Sequence, residues 1–164
     1  MKNFDWTRYT KKIAVKASID EVYAAWTSAE ELEKWFLKEV KFYDKNKNLT
    51  DKHTSAEKDF TYEWRWHLYD DVMAGEILQA NGKNFLQFTF EGETIVEIRL
   101  TTVQGYTLIE LTHKNIPTDD NSKQHIRLGC ASGWTFYLIN LKSVYEGGLD
   151  LRNMDEQLPT MINN

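Results

Sequence analysis

Few residues in this 164-residue chain combine the type and spacing that chemistry requires. The four histidines, His53, His67, His113 and His125, fall at no metal-ligand spacing, and no pair brackets a carboxylate in the zinc-protease manner. Cys130 is the only cysteine, which excludes a disulfide framework and a cysteine-rich metal site. Set in an apolar stripe, it reads as a small buried group rather than a nucleophile. No glycine-rich phosphate loop follows a strand and no nucleophile elbow is present, so no cofactor and no metal is implied. Asp119-Asp120 reads as loop solvation with favourable charge near a helix start. His113 remains as the one candidate for proton transfer or a polar ligand contact near neutral pH. The plainer alternative is a histidine that only hydrogen-bonds at the rim of a core.

The aromatic residues offer a second kind of chemistry. Six Trp, eight Tyr and eight Phe mean that the interior is built from large flat groups. Trp64, Trp66, Phe88, Phe90, Trp134 and Tyr137, with Val96, Ile98, Ile109, Leu138 and His113, are the candidate ligand-binding set of an apolar cavity. The alternative is that these rings pack on one another as a solid core. A net charge of −5 without a basic stripe argues against a nucleic-acid or anionic-membrane surface. No apolar run approaches the length of a membrane span and the first ten residues lack a signal-peptide pattern, so a soluble, cytoplasmic protein is expected. The length suits a single domain, 1–164, with a core at about 9–148 and a C-terminal tail at 149–164.

The elements that would position these residues follow from periodicity. A first strand, about Tyr9 to Ala17, carries its apolar face on odd positions. Ser18 with Glu21, and Ser28 with Glu31, have capping-box spacing and predict two short helices in tandem, with Val22, Ala25, Trp26, Leu32, Trp35 and Phe36 inward. A strand at Lys38 to Asp44 leads into a polar loop, Lys45 to Asp59. Phe60, Tyr62, Trp64 and Trp66 then alternate with polar residues, followed by strands at Val72 to Ala80, Phe85 to Glu91, Thr94 to Val103 and Tyr106 to His113. Asn81-Gly82, Glu91-Gly92 and Gln104-Gly105 supply short turns, so the strands form an antiparallel meander. Arg65, Glu97, Arg99 and Glu110 fall on its outward face, where cross-strand ion pairs are expected.

A long helix from Asn121 to Gly148, with Asn121 and Gln124 spaced as a cap, places Ile126, Cys130, Trp134, Tyr137, Leu138, Leu141, Val144 and Tyr145 in one apolar stripe. Gly129 and Gly133 each cost about 1 kcal/mol there relative to Ala. That cost points to close backbone approach, a bend, or room for a ligand. Phe136 and Ile139 lie on the opposite face, and Leu151, Met154 and Leu158 recur at helical spacing in the tail. The tail is therefore expected as a short helix over that patch, ended by Pro159, or else a second subunit covers it.

This order of elements, with Ser18-Ile19-Asp20-Glu21-Val22, Glu31-Leu32-Glu33-Lys34-Trp35, Gly75-Glu76-Ile77-Leu78, the strand Thr107 to His113 and Gly133-Trp134, resembles the family of activator of heat-shock-protein-90 ATPase homologues. That family belongs to the START-like, helix-grip (SRPBCC) superfamily. The resemblance implies an α+β fold in which a curved antiparallel sheet of about six to seven strands wraps a long C-terminal helix. It extends over about Tyr9 to Gly148. Ile19 stands where a proline is common, and the Gly-Gly usual before the third strand is replaced by Glu57-Lys58-Asp59-Phe60. The family's name derives from a co-chaperone that also uses a separate N-terminal domain, and many members of the superfamily bind apolar small molecules. The resulting expectation is a binding protein for a hydrophobic small molecule held between sheet and helix. The alternatives are a cyclase- or hydrolase-like enzyme using His113, and a chaperone-interaction or homodimerisation module built on Phe136, Ile139 and the tail.

Overall fold

The period-2 runs form seven strands in the computed structural model, which describes residues 3–158 and 160–164. They are β1 (Tyr9–Val15), β2 (Glu39–Tyr43), β3 (Thr61–Arg65), β4 (Val72–Ala80), β5 (Phe85–Phe90), β6 (Thr94–Val103) and β7 (Tyr106–Lys114). All pairs are antiparallel, in the order β1-β7-β6-β5-β4-β3-β2. Short hairpins join β4 through β7, while a long polar loop connects β2 to β3 and a shorter segment β3 to β4. β1 lies at the far edge from β2, and α1 (Ile19–Thr27) and α2 (Ala29–Trp35) carry the chain between those edges. This is the expected α+β helix-grip architecture.

Local chemistry sets the element ends. Ser18 and Glu21 form a complete capping box on α1, whereas Ser28 accepts from the Glu31 amide while the Glu31 side chain turns to Lys34 and Tyr145. Gln104 and Gly105 both have φ near the left-handed region (48° and 81°), the two-residue turn that matches strand twist. The β4–β5 connection is wider than a two-residue turn, because the Asn81 side chain accepts from the amides of Lys83, Asn84 and Phe85. Where the usual Gly-Gly is missing, Asp59 itself adopts a φ of 70°, so the loop keeps a glycine-like geometry at a conformational cost. Gly75 is needed for contact: a Cβ there would fall 2.4 Å from the Tyr62 ring, whose hydroxyl reaches the Thr89 carbonyl at 2.6 Å.

The closing rod runs as α3 (Asp120–Ser122), a π-helical stretch (Lys123–Cys130) and α4 (Ala131–Tyr145). Its cap is Asp119, not Asn121: the Asp119 carboxylate accepts from the amide and hydroxyl of Ser122, because the rod begins two residues earlier than the Asn121–Gln124 spacing suggested. The π winding was not foreseen. The rod's inner side buries Trp134, Tyr137, Leu138 and Leu141.

Asn140 lies outside the apolar stripe of the long helix. It is buried, and it donates to the Trp35 carbonyl (2.8 Å) and to Asp150 (3.0 Å) while accepting from the Leu151 amide (2.7 Å). Arg152, also buried, adds bonds to the carbonyls of Leu37 and Glu33 and an ion pair with Asp150. Burial raises the Asp150 carboxyl, but hydrogen bonds from Arg152 and Asn140 outweigh it and hold the group below its ordinary value. These polar bonds fix the tail in an extended course with turns, so no helix among the described residues of the tail covers Phe136 and Ile139. Leu151, Met154 and Leu158 remain exposed, and Pro159 lies outside the described residues. On the outer sheet face, Lys12–Glu110 and Lys114–Glu97 pair across strands at 2.7 and 2.8 Å, as the register predicts.

Candidate functional site

The inward side chains of β3, β5, β6 and β7 meet the rod in two different ways. Deep in the interface the rings interlock: Tyr62 stacks on Trp64 (centroids 3.9 Å apart), Trp64 meets Phe88 edge-on at 5.3 Å, and Trp26 meets Trp35 at 4.8 Å. Val96, Ile98, Ile109 and Leu138 complete this filled region. Trp64, Phe88, Val96, Ile98, Ile109, His113 and Leu138 are thus packed into the core and do not line the cavity described next. Alternation identifies the inward face, but it does not tell whether the volume opposite is occupied.

Beneath the π-helical stretch the packing stops. A cavity of about 560 Å³ opens there, lined by Trp66, Phe90, Trp134 and Tyr137 from the expected set and by Phe36, Tyr69, Val72 and Met73. Its other walls are Asp71, the Glu91-Gly92 turn, His125, Gly129, Cys130, Gly133 and Asn164. The rings of Phe36 and Phe90 rest 5.1 and 5.0 Å from Trp134 and form its floor. A Cβ placed on Gly133 would meet nothing within 4 Å, so close approach to the sheet does not explain this glycine. Open volume stands beside it.

The polar groups at the cavity have distinct states. Tyr137 donates its hydroxyl to the Asn164 carbonyl at 2.8 Å, which draws the tail into the wall. The indole N–H of Trp134 is buried without a hydrogen-bond partner among the described residues, as are those of Trp26 and Trp64 in the filled region. Burial, with the Glu91 charge adding to it, pushes the Cys130 thiol up to about 12, so it stays protonated and unreactive at neutral pH.

His113 lies behind Phe90, away from the cavity, and is fully buried. Thr94 uses its only hydroxyl proton on the Phe90 carbonyl, so it accepts from His113 Nε2–H at 2.7 Å. Nδ1 therefore accepts from the Tyr9 hydroxyl at 2.9 Å. Burial, and secondarily the charge of Arg127, lowers the imidazole to about 4. The ring ties β1, β6 and β7 together as a neutral group with both nitrogens engaged.

Residues 16–146 match the family model of the Activator of Hsp90 ATPase homolog 1-like protein. The chain belongs to that family. Comparison with curated proteins gave no match. Among solved structures, the family member is similar to a Staphylococcus saprophyticus protein at 20% identity, covering 88% of this chain and 96% of that one, with a TM-score of 0.71. The Aha1 dimer from Colwellia psychrerythraea is 20% identical over 86% of this chain and 97% of that one, TM-score 0.67. DynU16, from the dynemicin biosynthetic locus, is 18% identical over 90% of this chain and 50% of that one, TM-score 0.67. At these identities the likeness concerns the fold. No helix among the described residues is long and apolar enough to cross a membrane.

Proposed function

We propose that this family member binds an apolar, ring-bearing small molecule in the cavity beneath the π-helical stretch. The observation that carries the reading is the unfilled volume of about 560 Å³, walled by aromatic rings and bordered by a helical glycine with empty space at its side. Cavities of this size and composition suit small ligands. The fold is shared with a protein of the dynemicin biosynthetic locus. A panel of fatty acids, flavonoids and sterols, followed by tryptophan fluorescence, tests it, with Gly133→Leu as the control that fills the cavity. Saturable binding in the natural chain that is lost in Gly133→Leu supports the proposal; no saturable change with any compound removes it.

A second reading concerns assembly. Ile139, Leu151, Met154 and Leu158 are exposed on neighbouring parts of the sequence's apolar pattern, Phe136 is partly covered by Tyr137, and the Colwellia relative is a dimer. Homodimerisation through Phe136, Ile139 and the tail is the corresponding proposal. Light scattering on the chain and on Ile139→Lys separates a dimer that dissociates from a monomer unchanged by the substitution.

A further inference from the structure

The cavity's lining also bears on the charge of what it would hold, an inference that rests on the binding reading above. Six aromatic residues line it, and Asp71 and Glu91, both exposed, stand at its mouth. No lysine or arginine lines it; His125 is the other titratable side chain at the rim besides the Cys130 thiol and the tyrosines. Elsewhere on the sheet three carboxylates pair with cations, Glu39 with Lys41, Glu97 with Lys114 and Glu110 with Lys12. Asp71 and Glu91 have no ion-pair partner among the described residues. Glu91 is held at the mouth by its own backbone, which has a φ of 50° in the turn with Gly92, and its field reaches inward as far as the Cys130 thiol.

An anionic head group, such as a fatty-acid carboxylate, would meet two like charges and no counterion. A cation would meet two carboxylates and the negative faces of several rings, whose quadrupoles attract positive charge. We propose that the cavity takes an organic cation, an amine or quaternary ammonium group carried on an apolar ring body.

Three probes with one body and different heads test this: (1-naphthylmethyl)trimethylammonium, 1-naphthylmethanol and 1-naphthaleneacetate. Affinities are read by titration calorimetry at fixed salt on the natural chain and on Asp71→Asn/Glu91→Gln. Both positions are exposed, and an unchanged Tm confirms that the variant folds. The cation is expected to bind the natural chain at least about tenfold more tightly than the alcohol, with the acetate weakest. In the double variant that advantage falls to about threefold or less. Equal affinities, or an acetate that binds best, overturn the charge inference and leave the cavity reading intact. A preference that survives in the double variant overturns the role of these carboxylates, and no saturable binding of any probe overturns both readings together.

Discussion

The same helical rod faces two kinds of interface. Along α4 it presses Leu138 and Leu141 into a filled mass with Trp26 and Trp35, and Asn140 locks that side to α2 and the tail. Where the π-helical stretch gives way to α4, Cys130 and Gly133 border empty space between the rings of Trp134 and Tyr137 and the sheet. Both regions are aromatic, so composition does not separate them; the short side chains at Cys130 and Gly133 leave the second open.

The sharpest way to break this comparison is truncation on each side. Trp35→Ala removes a fully buried ring and the indole bond to the Ala25 carbonyl, and a loss of about 4 kcal/mol is expected. Trp66→Ala, at the partly exposed wall of the cavity, should cost about 1–2 kcal/mol. Urea denaturation measures both, and equal losses would mean that the two regions are not energetically distinct.

Asn140→Ala strips partners from the Trp35 carbonyl, the Leu151 amide and Asp150 at once, and is expected to cost about 3 kcal/mol with a loosened tail, read by urea titration and limited proteolysis. A near-neutral result would show that water replaces this clasp freely.

The filled region also holds His113, whose folded value near 4 lies below the roughly 6.5 of an unfolded histidine. The unfolded chain takes up a proton that the folded chain refuses, so the contribution is fully present above about pH 6.5. It declines as pH falls and is lost by about pH 4, amounting to roughly 3 kcal/mol. His113→Gln should flatten stability between those limits. An unchanged slope would place the titration elsewhere.

The smallest effect is expected at the open side. Gly133→Ala adds a methyl that meets nothing and removes a helical glycine, so stability should rise by about 1 kcal/mol in thermal melts. A destabilised variant would mean that the space is not available.

Much of the architecture was legible because strands and caps are local. The Phe60-Tyr62-Trp64-Trp66 alternation, the Ser18–Glu21 box and the bounds of β4 and β6 follow from neighbouring residues. The site was legible only in part. Trp66, Phe90, Trp134 and Tyr137 were reachable from face assignment, and the cost of Gly129 and Gly133 signalled space. Tyr69 and Asp71 come from an irregular segment, and Asn164 from a tail fixed by Asn140 and Arg152, contacts between residues far apart in the chain that no period encodes. His113 was placed in the ligand-binding set, whereas its partners, Tyr9 and Thr94, arrive from two other strands and hold it away from the cavity.

The π winding of Lys123–Cys130 carries one consequence of its own. A π turn holds about one residue more than an α turn, so deleting a single residue from this run would let it relax to ordinary winding. The lost residue would be taken up by the narrower turn, so Asp119 at one end and Trp134 and Tyr137 at the other would keep their facing. Only the wall between them would draw in, and the chain would keep its architecture with one side of its entrance rebuilt.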